Sequence, residues 1–295
     1  MRKLSRHRAA LIFVGPAVVL LAVFVVAPIF VALAASFSDL DLRGLADPSS
    51  VDFVGLDNYR RLLTDPLFGT AALNTVLYVV IGVPLIVVCA MAIALLLNVG
   101  TSRLFQGLRA AYFLPAITNI VAVAVIWGYL YNTDSGLINY LLSTGGVEPV
   151  PWLDQPVVAK LSLILVGVWK GAGFNMIIFL AALQGIPREY YEAAELDGAG
   201  PWQRLTRITI PLLRYATFFV TVTTTIAWIQ FFEEPFVMTD GGPLDGTLSI
   251  ALFIYQKGFN LSDFGYASAA SMVLFLSILL VTAVQFRLRR ADVEY

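Results

Sequence analysis

The chain has 295 residues, of which 59% are hydrophobic and 13% are charged, and its formal net charge is -1 at pH 7. Soluble proteins average about 45–50% apolar and about 25% charged residues, so this composition excludes a soluble globular domain and indicates an integral membrane protein. Because His7 is the one histidine and Cys89 the one cysteine, an intrachain disulfide, a histidine metal centre and the usual histidine base of a hydrolase are excluded.

Six apolar stretches are long enough to cross a bilayer, which needs about 20 helical residues. In chain order we predict spans at Ala9–Ala35, Thr70–Leu97, Ala110–Tyr131, Leu161–Leu183, Leu212–Gln230 and Tyr266–Gln285. The first stretch also has features of a secretory signal peptide, since a basic N-terminus precedes an apolar run that ends in Ala32-Leu33-Ala34. The run is longer than the usual signal-peptide core of about 7–15 residues, which favours a retained span.

Basic residues flank these spans unevenly, and the asymmetry predicts the orientation. One set of flanks contains Arg2, Lys3, Arg6, Arg8, Arg103, Arg109, Arg188, Arg204, Arg207, Arg214, Arg287, Arg289 and Arg290. The alternate set contains Arg43, Arg60, Arg61, Lys160 and Lys257. By the positive-inside rule, both termini and the loop after the fourth span lie in the cytoplasm, where the C-terminal arginines meet anionic headgroups.

The connection between the first two spans, Phe53–Asn74, places Leu56, Tyr59, Leu63 and Phe68 among charged residues. This pattern is typical of a short amphipathic helix at the outer membrane interface. A solvated connector explains the same periodicity equally well.

Two helical stripes combine polar and aromatic residues, namely Gly167, Lys170, Gly171 and Phe174 in the fourth span, and Thr224, Trp228 and Phe231 in the fifth. Each stripe lies on one helix face, because its members are three, four or seven positions apart. A cation within a span is costly and requires water, a ligand or a carboxylate, for which Glu233 and Glu234 are candidates. The alternative is helix packing, since Gly167 and Gly171 have the G-x-x-x-G spacing that permits close contact.

The loop after the fourth span, Tyr191–Pro211, is polar in an otherwise apolar chain. Pro187 predicts the first turn of a helix, where Glu189 and Glu192 interact favourably with the helix dipole, and the helix is expected to end near Leu196.

The segment Asp197–Pro201 then predicts a turn, and Pro201 begins a second helix whose Trp202 and Leu205 are expected to face the bundle. Gly198 supplies a sharp exit that favours a left-handed backbone. Ala193 and Ala194 leave a surface of low relief that another protein can approach, while Glu192 and Glu195 can meet its cations. A simple connector between two spans is the alternative.

Fixed residue spacings distinguish these readings. Gly198 follows Glu192-Ala193-Ala194 after three residues, Ile208 follows after nine more, and Ile210-Pro211 completes the pattern. The loop therefore resembles the EAA loop of permease subunits of binding-protein-dependent ABC importers, with Ile210 in place of the usual leucine.

Three further segments resemble the carbohydrate-type permeases of this family, in its maltose and glycerol-phosphate branch: Phe53–Tyr59, Phe113–Pro115 and Thr239–Pro243. The resemblance implies an all-α membrane protein with six transmembrane helices, both termini cytoplasmic, and a five-helix permease core plus one N-terminal helix. The expected divisions are a tail, first helix and outer segment at 1–69, a permease core at 70–286 with its coupling loop at 186–211, and a cytoplasmic tail at 287–295.

The resemblance also implies the partners. These are a second homologous permease, two ATPase subunits, an extracytoplasmic solute-binding protein, a carbohydrate substrate and the lipid bilayer of the bacterial cytoplasmic membrane, with no nucleic acid. The chain has no G-x-x-x-x-G-K-[ST] loop, so it is expected to bind no cofactor or metal, and ATP and Mg belong to the partner ATPases.

Roles carried over from the family fall on three sets of residues. The ATPase-coupling set is Glu189, Glu192, Ala193, Ala194, Asp197, Gly198 and Pro201. The substrate-pathway set is Asn119, Lys170, Gly171, Phe174, Thr224, Trp228 and Phe231. The binding-protein docking set is Glu233, Glu234, Asp240, Gly241, Gly242 and Pro243. Apolar and aromatic residues replace several polar ones of the maltose pattern, which argues against maltose as cargo.

Two other function classes remain as alternatives. An ion-coupled secondary carrier acting alone requires paired acids or broken helices at mid-membrane, whereas most carboxylates of this chain lie in loops. An intramembrane enzyme requires a nucleophile with a base, or a metal constellation, and the sequence shows neither.

Overall fold

In the computed structural model, residues 6–100 and 102–291 are described, with side chains at 12–100 and 102–289. The helices, in chain order, are α1 (Arg6–Leu21), α2 (Ala27–Ala35), α3 (Leu42–Ala46), α4 (Asp57–Thr64), α5 (Pro66–Asn98), α6 (Arg103–Ile117), α7 (Ile120–Leu130), α8 (Leu137–Thr144), α9 (Pro156–Gln184), α10 (Glu189–Leu196), α11 (Pro201–Arg204), α12 (Ile210–Leu212), α13 (Arg214–Ile229), α14 (Ile250–Tyr255) and α15 (Phe264–Ala291). Short π-helical turns occur at Ala22–Val26, Leu205–Thr209, Pro235–Thr239 and Gln256–Asn260, and a 3-10 turn at Pro48–Ser50. The all-helical class predicted from the sequence is confirmed within these ranges.

Some residues that entered the orientation argument fall outside this description. Arg2, Lys3 and residues 292–295 are not described, and neither are the side chains of Arg6, Arg8 and Arg290.

Four helices of the described chain are long and apolar enough to cross a membrane, at Ile12–Ala35, Pro66–Asn98, Pro156–Gln184 and Phe264–Arg289. Two bent pairs of helices raise this count to as many as six if each pair is one span. The pairs are Arg103–Ile117 with Ile120–Leu130 and Pro201–Leu212 with Arg214–Ile229. Most of these helices start earlier than the predicted spans, because hydropathy marks the bilayer core whereas proline starts the helix. The second and fourth begin at Pro66 and Pro156.

The predicted third span is not one continuous helix. The chain bends by 100° between its two halves, α6 and α7. Asn119 has a non-helical backbone, with φ -58° and ψ 130°. Its Oδ1 accepts hydrogen bonds from the N–H groups of Val121 at 2.9 Å and Ala122 at 3.4 Å, so α7 begins as a newly capped helix. The span predicted over Ala110–Tyr131 is therefore a bent pair of helices, since Asn119 caps the second one.

The predicted fifth span is also bent, by 60° between the segment ending at Leu212 and α13. Pro211 has no backbone N–H to continue the helical ladder, and the π-helical turn Leu205–Thr209 lies just before it. The span predicted at Leu212–Gln230 is thus α13, Arg214–Ile229, joined at an angle to the loop helices.

The described chain forms two compact units. One contains the residues up to Phe68 together with Phe253–Ser277. In it, the Nδ2 of Asn58 donates to the carbonyls of Ser36 at 3.1 Å and Ser38 at 2.8 Å, which holds α4 in place. The predicted outer helix is therefore formed, but Leu63 on it is 85% exposed rather than packed.

The second unit comprises Gly69–Leu252 and the residues from Ile278 onwards. Buried residues of α5, α9 and α13 form its core. Glycines allow close approach between α5 and α13 and between α9 and α6. A Cβ on Gly82 would lie 1.8 Å from Trp228, and one on Gly173 would lie 2.1 Å from the carbonyl oxygen of Tyr112. Close approach by glycine is how apolar helices pack in membranes.

Candidate functional site

A polar pocket of about 350 Å³ lies in the second unit, between α9 and the C-terminal end of α13. Its lining consists of Gly167, Lys170, Gly171, Ala227, Trp228, Gln230, Phe231, Phe232, Glu233 and Glu234. The two stripes singled out in the fourth and fifth spans therefore meet here in part.

Trp228 and Phe231 form the aromatic side of this pocket. Their rings are stacked with centroids 4.9 Å apart and an interplanar angle of 5°, and the ring centroid of Tyr78 also lies 4.9 Å from that of Phe231. Both residues are packed against neighbouring helices as well, with 5% and 6% of their surfaces exposed. The aromatic pair thus belongs both to the helix core and to the pocket wall, which combines the two readings left open by the sequence.

Lys170 has the carboxylate neighbours that its position requires. Its Nζ lies 4.0 Å from Oε2 of Glu233, which is one of the two partners considered from the sequence. Glu234 is 7% exposed, and burial raises its pKa to about 7, with the charge of Glu233 acting in the same direction and that of Lys170 opposing it. The pocket therefore contains one cation and two carboxyl groups, of which the buried one, Glu234, keeps its proton to a higher pH than an ordinary glutamate.

Three residues of the predicted pathway set lie away from this pocket. Asn119 caps α7, as described above, Phe174 is 59% exposed, and Thr224 is buried within α13. The lining contains instead Gln230, a residue that the periodicity did not select.

The second candidate site is α10 with the turn that follows it. The helix ends at Leu196 as predicted, but it begins at Glu189 with Arg188 as its N-cap. Pro187 therefore precedes the helix and does not lie in its first turn. Tyr191 is tied to the next segment by a hydrogen bond between its hydroxyl and Thr209 Oγ1 at 3.0 Å.

The end of α10 has the hydrogen bonds of a Schellman motif. The N–H of Ala199 donates to the carbonyl of Ala194 at 2.8 Å, and that of Gly198 donates to Glu195 at 3.0 Å. Gly198 has φ +78°, so the left-handed exit predicted for it is confirmed. Nothing lies within 4 Å of a Cβ built on Gly198, so the need for glycine comes from the backbone and not from crowding.

The acidic residues of α10 differ in their partners. Glu195 forms an ion pair with Arg204, with 3.5 Å between Oε2 and Nη1. Glu192 is exposed and forms no ion pair within the described chain. Of the two glutamates expected to meet cations of another protein, Glu192 is the one that remains available.

Large apolar side chains project from this loop. Leu196 is 91% exposed, Trp202 is 73% exposed and Tyr190 is 54% exposed. The expectation that Trp202 faces the bundle is wrong, because α11 is a single turn that directs this residue outwards, whereas Leu205 is half-buried.

The segment that follows the loop Thr239–Pro243, which was predicted to dock a binding protein, is anchored from α5, and Thr247 in it donates from its Oγ1 to the carbonyl of Gly242 at 2.7 Å. Asn74 Nδ2 donates to the carbonyls of Asp245 at 3.0 Å and Leu248 at 2.9 Å, and the Tyr78 hydroxyl donates to Thr247 at 2.9 Å. Sequence reasoning did not select these anchors. The available signal was Asn74 itself, an amide in an apolar span, which must find hydrogen-bond partners.

Within the loop, exposure separates residues that can meet a partner from those that support the turn. Asp240 is exposed with φ 47°, whereas Gly241 is buried with φ +87°. Gly242 and Pro243 are half-buried.

Residues 67–291 match the family model described as binding-protein-dependent transport system inner membrane component. The chain belongs to this family. It is therefore a transport permease subunit and a multi-pass protein of the inner membrane, as the EAA-loop resemblance indicated.

Curated relatives of this permease cover nearly its whole length. The lactose transport system permease protein LacF of Rhizobium radiobacter is 37% identical over 93% of this chain and 92% of its own length. The sulfoquinovosyl glycerol transport system permease protein SmoG of Agrobacterium fabrum is 34% identical over 95% of this chain and 90% of its own length.

A solved structure shares the fold of this permease. A chain of the bacterial alginate ABC transporter, determined in complex with an alginate pentasaccharide-bound periplasmic protein, has a TM-score of 0.83 and 24% identity over 98% of this chain and 96% of its own. The likeness in fold therefore extends over nearly the whole length of both chains.

Proposed function

We propose that this chain is the permease subunit of an ATP-driven ABC importer that takes up a sugar, an oligosaccharide or a sugar-like polyol phosphate delivered by an extracytoplasmic binding protein. Curated relatives that are permeases for lactose and sulfoquinovosyl glycerol support the cargo class. The observation that carries the proposal is the pocket in which Trp228 and Phe231 adjoin Lys170 and Glu233.

The chemistry of this pocket suits a polyhydroxylated cargo. Aromatic rings pack against the C–H surfaces of sugars, while ammonium, amide and carboxylate groups bond to their hydroxyls. Because Trp228 and Phe231 expose little surface, full contact of a sugar with their rings requires α13 to move relative to α9. Such movement is the rigid-body rocking of alternating access.

In the membrane, we propose six spans with both termini in the cytoplasm, each bent pair counting as one span. The division into residues 1–69, a permease core at 70–286 and a tail at 287–295 accompanies this topology. The excess of arginine on one set of flanks supports the orientation.

Coupling to ATP is assigned to α10. The exposed Leu196 and Trp202 are suited to a cleft on an ATPase subunit, and Glu192 is free to pair with a basic residue there. Two ATPase subunits that bind ATP and Mg, together with a second homologous permease, complete the assembly. Glu189, Ala193, Ala194, Asp197, Gly198 and Pro201 shape the same surface. On the other side of the membrane, Asp240 and the neighbouring loop meet the binding protein.

Co-expression with neighbouring subunits, purification and reconstitution test this proposal. We expect the assembly to contain an ATPase and a second permease, and its ATPase activity to rise with binding protein loaded with the correct member of a panel of sugars. Glu192→Arg should reduce this stimulation about tenfold or more, because it places like charges in the interface. Glu148→Arg, the same change on an exposed outer residue, should leave stimulation unchanged.

Two results would contradict the proposal. One is transport at the wild-type rate by the Glu192→Arg assembly. The other is ion-driven uptake by the purified chain without ATP, which would instead favour the secondary carrier.

A further inference from the structure

An elongated cavity of about 560 Å³ lies in the second unit, between the N-terminal half of α13 and the C-terminal end of α15. Along α13 it extends from Arg214 to Val222, a length of about 12 Å at roughly 1.5 Å per residue. The hydroxyls of Thr217 and Thr221 within it already donate to backbone carbonyls one turn earlier, at 3.0 and 2.7 Å. We call this cavity the α13–α15 slot, and most of its exposed surface is apolar.

Two guanidinium groups converge at one end of the slot. Arg214 and Arg289 both stack on the ring of Tyr215, with 4.9 Å and 4.6 Å between Cζ and the ring centroid. Arg289 also lies 4.4 Å from the ring centroid of Phe218. In the part of the chain that the structure describes, neither arginine has a carboxylate partner. Two cations that share one ring repel each other, and an anion between them would remove that repulsion.

We propose that the α13–α15 slot binds one anionic phospholipid, with its phosphate between Arg214 and Arg289 and part of one acyl chain along α13. The lipid matches the slot in polarity, since the charge lies at one end and the remaining length is apolar. Arginine binds phosphate through paired N–H groups, and stacking on Tyr215 and Phe218 holds these arginines in position.

A segment of another protein fits this slot less well. A non-helical segment would bring backbone N–H and carbonyl groups that need partners, whereas the hydroxyls of Thr217 and Thr221 are already engaged. A helix satisfies its own backbone but brings no anion for the two arginines unless it carries an acidic side chain there. The lipid inference does not depend on the cargo or on ATP-driven import, so it can fail without affecting either.

Native mass spectrometry of the delipidated full chain in detergent tests the inference, with phosphatidylglycerol titrated against phosphatidylcholine of the same acyl chains. We expect the wild type to retain one phosphatidylglycerol preferentially. Arg214→Gln with Arg289→Gln should raise the half-saturating phosphatidylglycerol concentration about 30-fold, the equivalent of about 2 kcal/mol. Arg207→Gln with Arg287→Gln, which removes the same charge from exposed positions outside the slot, should change it less than about threefold.

A second variant separates lipid binding from folding. Thr217→Phe fills the slot but keeps both arginines, and it should also weaken phosphatidylglycerol binding while the monodisperse elution of the protein is preserved. Inorganic phosphate at millimolar concentration should not displace the lipid, because it lacks the acyl chain. Retention of the lipid in the assembled transporter would support the site.

Several outcomes would overturn the inference. The first is that phosphatidylcholine binds the wild type as tightly as phosphatidylglycerol does, and the second is that both pairs of arginine variants lose the same affinity. The others are displacement of the lipid by inorganic phosphate, and unchanged phosphatidylglycerol affinity in the Arg214, Arg289 and Thr217 variants. Replacement of the lipid by a neighbouring subunit in the assembled transporter would also overturn it.

Discussion

The indole ring of Trp228 packs against Gly82, where any larger side chain would overlap with it. A Cβ on Gly82 would lie 1.8 Å from Cζ3 of Trp228, and one on Gly167 would lie 3.2 Å from Cζ2 of the same ring. The ring that lines the candidate sugar pocket is therefore held between α5 and α9 by two glycines. At this scale, packing and cargo binding depend on the same atoms.

Gly82→Ala should lower the stability of the purified chain by about 1–3 kcal/mol, because a rigid indole cannot yield to the added methyl group. Gly69→Ala is the matched control on α5, since nothing lies within 4 Å of its Cβ. It should be neutral or stabilising by up to about 1 kcal/mol. Thermal unfolding in detergent measures both, and equal melting temperatures would show that the indole moves freely.

Glu234 gives the pocket a response to pH. Burial raises its pKa from 4.5 to about 7, so the folded chain holds a proton that the unfolded chain releases between these values. Its contribution to stability is therefore present below about pH 4.5 and is lost as the pH rises through 7. Lys170 and Glu233 are the charged groups that face it.

The melting temperature of the wild type should fall between pH 5 and pH 8 by on the order of 5 °C more than that of Glu234→Gln. The glutamine keeps the shape of the side chain but cannot ionise. Glu148→Gln, at an exposed outer position, should retain the wild-type slope. If the melting temperature of Glu234→Gln fell with pH as steeply as that of the wild type, ionisation of Glu234 would not be the cause of the pH dependence.

Among the elements, α10 shows how local sequence produces a rigid projection. It is only eight residues long, and isolated helices of that length are marginal in water. Its Schellman motif, the Glu195–Arg204 ion pair and the Tyr191–Thr209 hydrogen bond connect it to the segments around it. A helix held at both ends can transmit a displacement from a partner, which is the property that coupling requires.

Gly198→Ala should therefore loosen α10 specifically. Alanine at φ +78° costs about 1–2 kcal/mol, so amide hydrogen exchange in Glu189–Leu196 should accelerate about tenfold. Gly200→Ala is the control, because Gly200 has φ -68° and open space around its Cβ. If both substitutions changed exchange equally, the left-handed backbone would not be the cause.

At the scale of the whole molecule, the proposed roles of the loops depend on which side of the membrane each loop faces. Leu196, the last residue of α10, is 91% exposed, and Leu244, which follows the fifth span, is 89% exposed. One bent span separates the two positions in the chain. The positive-inside rule predicts that Leu196 lies in the cytoplasm and Leu244 outside.

Single-cysteine labelling checks this topology, because Cys89 is the only natural thiol and can be replaced by serine. In spheroplasts, a membrane-impermeant maleimide should label Leu244→Cys at once and Leu196→Cys only after permeabilisation. The reverse pattern would invert the proposed topology and remove α10 from contact with cytoplasmic ATPases.

Composition and local spacing were sufficient for the membrane class, the helical fold and the family, because apolar length and the EAA spacing are properties of contiguous residues. The turn at Gly198 was predictable for the same reason.

Only the tertiary structure decided which residues form the pocket and where the spans bend. Asn74 bonds to a carbonyl 171 positions away, Lys170 selects Glu233 across two helices, and Arg289 stacks on Tyr215. Such pairings depend on how the helices pack and on which partners the buried polar groups find. The periodicity of a single span determines neither the packing nor these partners.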